Sequence, residues 1–301
     1  MGETREYTFG DVTVSCTNVD RVLFPDCGVT KGDMLAYYAD IAEVMVPHLA
    51  ERALTMERFT KGVDKGGFFQ KHYQKHYPDW LEKIETHGKT PVVFPVVNDA
   101  AGLVYLANQG GVAFHVGTSR IASFENPDSV VFDLDPPEGR FDLVRKAAAA
   151  VRRLMERLEL TAFVKTTGSK GLHVVVPTDG SATYEDVHAF CKLVAARLCE
   201  KHADIFTTEF YKKDRGGRLF LDVLRNTLGA TVIAPYSLRG KKGAPVAVPL
   251  TWDEVDDPEL AADGIKIGDV RARLEEKGDP WADIYDAGGS IADAVAELEA
   301  G

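Results

Sequence analysis

Residues 130–137 read VVFDLDPP, and the two acids in that run, Asp133 and Asp135, are the first residues whose types and spacing could do chemistry. Side chains alternate along a strand, so Asp133 and Asp135 project from one face. Like charges that close, among apolar neighbours, call for a compensating cation. The plainer reading is a strand-end pair that caps a helix or meets arginines. The sharper one is a hard divalent cation, Mg²⁺ or Mn²⁺, which takes oxygen ligands and completes its shell with substrate phosphates. A third carboxylate is then required. Asp222, in RLFLDVL, is placed in the same way, as a single acid in an apolar strand. Three such acids point to a two-metal centre for phosphoryl or nucleotidyl transfer.

A polyphosphate also needs cations and backbone N–H donors. TTGSKGLHVVVP offers Thr167, Gly168, Ser169, Lys170 and Gly171 as a turn, followed by a strand carrying His173. Such a turn can let the backbone approach an anion closely, although a plain hairpin explains the glycines as well. Arg215 and Arg239 flank Asp222 in sequence and are candidate phosphate contacts. Residues 52–76 hold six basic residues against Glu57 and Asp64, interleaved with Phe59, Phe68, Phe69 and Tyr73. Aromatics among cations hold exposed bases by stacking and phosphates by charge, so Phe68 and Phe69 are candidate nucleic-acid contacts.

The elements that must position these residues follow from pattern. YTFGDVTVSC alternates as a strand, and Thr30 with Asp33 resembles a capping box opening a helix over 34–49. Strands are expected at ALTMERF, FFQKHY, PVVFPVV and VAFHV, with helices at DWLEKIET and AAGLVYLAN. The clearest rhythm is central: strand SVVFDLD, a long helix from Phe141, strands AFVKTT and GLHVVVP, and a helix from Tyr184. The strands RLFLDVL and TVIAPYS follow. Strands and helices interleaved in pairs predict α+β or mixed α/β rather than a uniform βαβ array.

Composition bounds the rest. Of the 301 residues, 45% are hydrophobic and 27% charged, as in ordinary globular proteins. No apolar run approaches the roughly 20 residues that span a bilayer, and the first residues do not read as a signal peptide, so the cytoplasm is expected. Four cysteines without a CxxC pair indicate neither a disulfide framework nor a zinc ribbon, and Cys191 and Cys199 read as core thiols. The net charge of −11 is misleading for nucleic-acid binding. Residues 251–301 hold 15 Asp or Glu against 4 Lys or Arg, so that segment carries the whole excess and the first 250 residues balance.

Taken together, DLDP, TTGSKGLH and the LD followed by IAPYSLR resemble the polymerase domain of bacterial ligase D, within the archaeo-eukaryotic primase superfamily. The resemblance runs from about Asn18 to Gly240. It implies an α+β primase-polymerase core of mainly antiparallel sheets flanked by helices, with an N-terminal α/β module. It implies two Mn²⁺ or Mg²⁺ ions held by Asp133, Asp135 and Asp222, and a nucleotide site drawn from His115, Thr167, Ser169, Lys170, His173, Arg215 and Arg239. It further implies a 5′-phosphate pocket at Asn18, Arg21 and Lys31, and base contacts at Phe68 and Phe69. Thr167 stands where many relatives have serine, and Arg225 where they often carry an amide. The stretch between His115 and Asp133 is short for the family.

The resulting expectation is one polymerase domain over 1–301. It comprises a DNA-contacting module (1–100), a catalytic core (101–245) and an acidic extension (246–301). Its activity would be template-dependent addition of NTPs or dNTPs, ribonucleotides preferred, at short 5′-phosphorylated gaps or breaks in end joining or excision repair. Unprimed synthesis is left open. No KxDG motif of the kind that carries an adenylated lysine occurs, so sealing would fall to a separate DNA ligase in trans. Two other classes remain. One is an aspartyl-phosphate hydrolase, whose first motif is also a strand ending in DxD but usually with Thr or Val where this chain has Pro137. The other is a non-catalytic DNA-end adaptor.

Overall fold

The computed structural model describes residues 2–86 and 91–300. In chain order the elements begin with the strands β1 (Thr4–Phe9), β2 (Val12–Thr17), β3 (Val22–Phe24) and β4 (Val29–Thr30) and the helices α1 (Lys31–Asp40) and α2 (Ala42–Leu49). Next come β5 (Leu54–Arg58), β6 (Phe68–Gln70), β7 (Lys83–Glu85), β8 (Val93–Pro95), α3 (Ala100–Asn108) and β9 (Gly111–Val116). The central stretch supplies β10 (Ser129–Asp135), α4 (Phe141–Arg157), β11 (Phe163–Thr166), β12 (Leu172–Pro177), α5 (Tyr184–Lys201), β13 (Phe206–Thr207) and β14 (Leu219–Asp222). The remainder holds β15 (Val232–Ile233), β16 (Pro249–Leu250), α6 (Trp252–Val255), α7 (Val270–Lys277) and α8 (Ile291–Ala300).

These elements form two compact units, each assembled from separated stretches of chain. The first comprises Met1–Val116, Ile233–Val248 and Ile265–Gly278; the second comprises Gly117–Val232, Pro249–Gly264 and Asp279–Gly301. The α+β class is borne out: helices accompany sheets in which the pairs β1–β2, β3–β4, β5–β6, β5–β9, β7–β8, β10–β12, β10–β14, β11–β12 and β11–β16 are antiparallel and β13–β14 is parallel.

In the first unit, YTFGDVTVSC is two strands rather than one. Gly10 turns the chain at φ +56°, a conformation that costs glycine little, and β1 and β2 close as a hairpin. The capping box forms as expected: the Thr30 side chain accepts from the Asp33 amide, and Asp33 accepts from the Thr30 amide. The helix it opens is broken at Ile41 into α1 and α2. Their buried faces join β5, α3 and β9 in one apolar core that includes Met34, Leu35, Tyr38, Leu54, Leu103 and Phe114. DWLEKIET is not helical. Its last residues form β7, which pairs with β8, because the alternating register Lys83 to Pro95, Ile84 to Phe94 and Glu85 to Val93 gives the backbone a ladder there.

The second unit is built on a six-stranded sheet in the order β13-β14-β10-β12-β11-β16. Val130, Phe132 and Leu134 of β10 are fully buried on one side of the strand. Helix α4 packs on β10 and β12 through a stripe that includes Val144, Ala147, Val151, Leu154 and Met155 at helical spacing. On the other side of β10, Val131 packs with Val175, Trp281 and Ile284. The acidic segment therefore contributes to this core, and the Trp281 indole N–H donates to the Val164 carbonyl at 3.1 Å. Cys191 is buried, as expected of a core thiol, whereas Cys199 is half-buried.

Candidate active site and phosphate pocket

Strand register alone aligns the acids of the second unit. Asp133 of β10 lies opposite Asp222 of β14 on one side and opposite His173 of β12 on the other, and His173 lies opposite Lys165 of β11. A polar row, Asp222–Asp133–His173–Lys165, thus crosses four strands. The next row toward the sheet interior, Phe163 opposite Val175, is apolar. Asp135 follows Asp133 on the same face and pairs with Phe220. Three acids separated by up to 89 positions in sequence are gathered because β14 inserts beside β10 in the sheet.

The charges in this row are compensated unevenly. The Arg225 Nε donates to Asp133 Oδ2 at 3.1 Å and lies 3.6 Å from Asp222 Oδ2. Nε2 of His173 is 3.5 Å from Asp133 Oδ1. Burial would raise the Asp133 pKa, but His173 and the Arg225 guanidinium outweigh it and hold the carboxyl down at about 2. His173 is itself buried beside the Lys165 ammonium, and both effects lower its pKa to about 4. At neutral pH the imidazole is uncharged, so Arg225 is the cation that balances Asp133. Asp135 is pushed the other way, up from its ordinary value, by burial and by the charge of Asp133. The ion pair of the plainer reading is therefore present at Asp133 and Asp222, while Arg225 and Arg215 both act on Asp135 without outweighing its burial and its acidic neighbours.

Asn226 fixes the turn that carries Arg225. The strand β14 ends at Asp222, yet the buried Asn226 amide continues the pairing: its Oδ1 accepts from the Val131 amide and its Nδ2 donates to the Val131 carbonyl, each at 2.8 Å. A side chain here replaces a strand partner. Neither Asn226 nor Lys165 stood out in the sequence. Lys165 carried a usable signal, since it is the one charged residue of an apolar strand, as Asp222 is in its own.

The turn after β11 adopts the close approach its glycines permit. A Cβ on Gly171 would lie 2.0 Å from the Leu134 carbonyl oxygen, so only glycine lets β12 begin against β10 there. Thr167 is buried and its hydroxyl donates to the Gly171 carbonyl at 3.0 Å, which closes the turn. Ser169 is half-buried and Lys170 exposed. Lys170 lines a cavity of about 570 Å³ with Arg215, Arg218, Arg140 and the Pro136–Pro137 pair that follows Asp135. Arg215 lies over the Phe220 ring, 4.2 Å from its centroid, and donates to the carbonyls of Glu209 and Phe210.

The remaining candidates lie in the first unit. Lys31, only 6% exposed, donates through Nζ to the Thr17 carbonyl at 2.8 Å and to Asn108 Oδ1 at 2.6 Å. Asn108, which sequence reasoning missed, also accepts from the Thr17 amide and so ties β2 to the end of α3. Lys31 shares a cavity of about 210 Å³ with Asn18, Arg21, Arg58 and Thr60. Burial, reinforced by Arg21, lowers the Lys31 pKa to about 8. Arg21 donates to the Thr60 carbonyl, and Asn18 adopts a positive φ of 54°. Phe68 and Phe69 on β6 are 50% and 63% exposed, and the Arg58 guanidinium lies over the Phe68 ring. Phe69 meets the ring of His115 edge-on at 5.4 Å; His115 itself is buried on β9. Arg239 is half-buried, and its charge acts on Glu57 of β5, whose pKa burial raises and Arg239 opposes.

Among the described residues no three His, Cys, Asp or Glu side chains form a self-sufficient metal cage. The donor set nevertheless fits a hard divalent ion. Its ligands are carboxylate oxygens on one sheet face, its charge is in surplus over Arg225, and Mg²⁺-type sites routinely complete their shells with substrate phosphate.

Comparison with known proteins gives the geometry its context. The profile of the family described as LigD, primase-polymerase domain, matches residues 30–281. The multifunctional non-homologous end joining protein LigD of Mycolicibacterium smegmatis is 39% identical over 289 residues, which cover 94% of this chain and 37% of that protein. The bifunctional LigD of Bacillus subtilis is 33% identical over 271 residues, covering 89% of this chain and 44% of that protein. The chain thus spans about two fifths of the length of these relatives. Among solved structures, the polymerase domain of Mycobacterium tuberculosis ligase D, determined in complex with DNA, matches with a TM-score of 0.86 at 35% identity, covering 91% of this chain and 99% of that one. With three carboxylates aligned on the sheet and a family profile spanning most of its length, the chain belongs to the primase-polymerase domain family of LigD.

Proposed function

We propose that this chain is a DNA-repair polymerase that transfers nucleotides, ribonucleotides in preference, to a primer 3′-hydroxyl at short 5′-phosphorylated gaps or breaks. The observation that carries the reading is the register that sets Asp222 opposite Asp133, with Asp135 on the same face, in a chain of this family. Asp133, Asp135 and Asp222 would hold two Mn²⁺ or Mg²⁺ ions, which when bound lower the pKa of the attacking hydroxyl and neutralise charge developing on the phosphates.

The protein's own groups do the rest. Lys170 and Arg215 offer cations to a triphosphate from the walls of the cavity beside Asp135. Neutral His173, its Nε2 3.5 Å from Asp133 Oδ1, faces that carboxylate across the strand pair and helps to position it. In the first unit, Arg21 and Lys31 present positive charge to a 5′-phosphate in the pocket that also holds Asn18. Phe68 and Phe69 are exposed for stacking on bases. Among the described residues no helix is long and apolar enough to cross a membrane. The proposed role is on cytoplasmic DNA. End joining and excision repair both generate such gaps, and a DNA ligase acting in trans would seal the product.

The test is incorporation on gapped DNA with NTPs or dNTPs, with Mn²⁺ or Mg²⁺, and with or without the 5′-phosphate. Metal-dependent extension that is faster with NTPs and stimulated by the 5′-phosphate is expected. Gap binding without incorporation would favour an adaptor, and release of inorganic phosphate from a monoester without extension would favour a hydrolase.

A further inference from the structure

The Arg225 guanidinium stands where charge balance would otherwise call for a metal ion. Its Nε is 3.1 Å from Asp133 Oδ2 and 3.6 Å from Asp222 Oδ2, and so bridges two of the three carboxylates. The other cation of the row, Lys165, lies beyond His173 on β11, two strands away from Asp133. Asp135, beside the pair, feels the charges of Arg225 and Arg215 without being bridged by the Arg225 Nε as the other two acids are. We propose that Arg225 is a resident counter-cation that competes with a divalent ion for Asp133 and Asp222, so that ion binding requires its side chain to swing away.

The two ends of the pair differ in freedom. Asp133 is buried, its side chain 8% exposed, and is held in the middle of the sheet, whereas the Arg225 side chain is 44% exposed. Asn226 pins the following turn to Val131, so the backbone around Arg225 need not move for its side chain to leave. A buried carboxylate left alone is costly, and the guanidinium removes that cost while no ion is bound. Once ions and phosphates are present, the carboxylates have better partners, and the freed guanidinium can turn to the phosphate oxygens it fits bidentately. The Arg225 side chain thereby sets a threshold for metal binding.

This inference rests on the reading of Asp133, Asp135 and Asp222 as metal ligands, and the experiment separates the two. Mn²⁺ binding to the full chain without nucleotide is titrated by the electron paramagnetic resonance signal of the free ion, in wild type, Arg225→Gln, Arg225→Lys and Asp133→Asn. Each variant's thermal melt with and without Mn²⁺ reports its folding. Arg225→Gln is expected to tighten the apparent Kd by about tenfold, because a half-exposed charge no longer has to be displaced from a buried carboxylate. Arg225→Lys, which keeps the charge, should stay near wild type. Asp133→Asn should bind weakest and gain least in melting temperature from the ion. If Arg225→Gln binds Mn²⁺ no more tightly than wild type while Asp133→Asn loses binding, the competition is refuted and the metal-ligand reading stands. If Asp133→Asn, folded, binds as well as wild type, the metal-ligand reading itself fails.

Discussion

Asp133 and Asp222 are register partners on adjacent antiparallel strands, although 88 residues lie between them in the chain. Each faces the same side of the sheet, and one guanidinium bridges them. That pairing gathers the acids of the second unit on one sheet face.

Asp133→Ala removes the most deeply buried of the three acids. Primer extension is expected to fall by about a thousandfold, comparable to the loss of a principal electrostatic group in other active sites, while binding to gapped DNA persists. Single-turnover extension and an electrophoretic mobility assay check the two halves. Extension at the wild-type rate would remove the metal assignment.

Lys31→Ala should selectively weaken binding to gaps that carry a 5′-phosphate, by about tenfold, with little change for a 5′-hydroxyl gap. Fluorescence anisotropy on the two substrates measures the ratio. An unchanged ratio would sink the phosphate-pocket assignment.

The same pocket predicts a pH dependence. Burial and Arg21 lower the Lys31 pKa to about 8. Its ammonium is therefore present below that pH and lost above it, so the preference for a 5′-phosphate should decline as pH rises from about 7 to about 9. In Lys31→Ala that slope should vanish. A wild-type preference that stays flat over the range contradicts the titration.

Asn226→Ala tests the side chain that extends β14. It strips the partners from the Val131 N–H and C=O at the centre of the sheet, and each buried unpaired group costs about 1–3 kcal/mol. Urea unfolding should show a loss of about 3 kcal/mol, with extension weakened as the Arg225 turn loosens. Unfolding at the wild-type midpoint would mean that another group satisfies Val131.

Phe69→Ala separates binding from folding. The ring is 63% exposed and touches His115 only at its edge, so stability should change by less than about 0.5 kcal/mol. Affinity for gapped DNA should drop by about 1–2 kcal/mol if a base stacks there. Equal affinities in anisotropy would assign the exposure of this ring to something other than nucleic acid.

Much of this protein was written locally. An apolar run placed β10 over SVVFDLD, the helical pattern placed α4, and the Thr30–Asp33 capping box opened α1 where its side chains accept backbone amides. The chemistry of the acids was legible too, since an isolated carboxylate in an apolar strand is costly wherever the strand is packed. Local signals failed where two backbones had to choose each other. DWLEKIET has an amphipathic pattern that a helix could use, but β8 offers its last residues a ladder instead. The break at Ile41 carries no glycine or proline to announce it.

What the sequence determined by itself was the inventory: which segments prefer helix or strand, which side of each strand is polar, and which residues can bind phosphate or metal. The tertiary structure alone decided which of them meet. Nothing along the chain specifies that β14 inserts beside β10, that Lys165 lines up behind His173, or that Arg225 settles between two of three carboxylates. Propensity and capping act over a few residues, whereas strand order and register are set by burial of whole faces at once, and charge compensation follows only after the faces are in place.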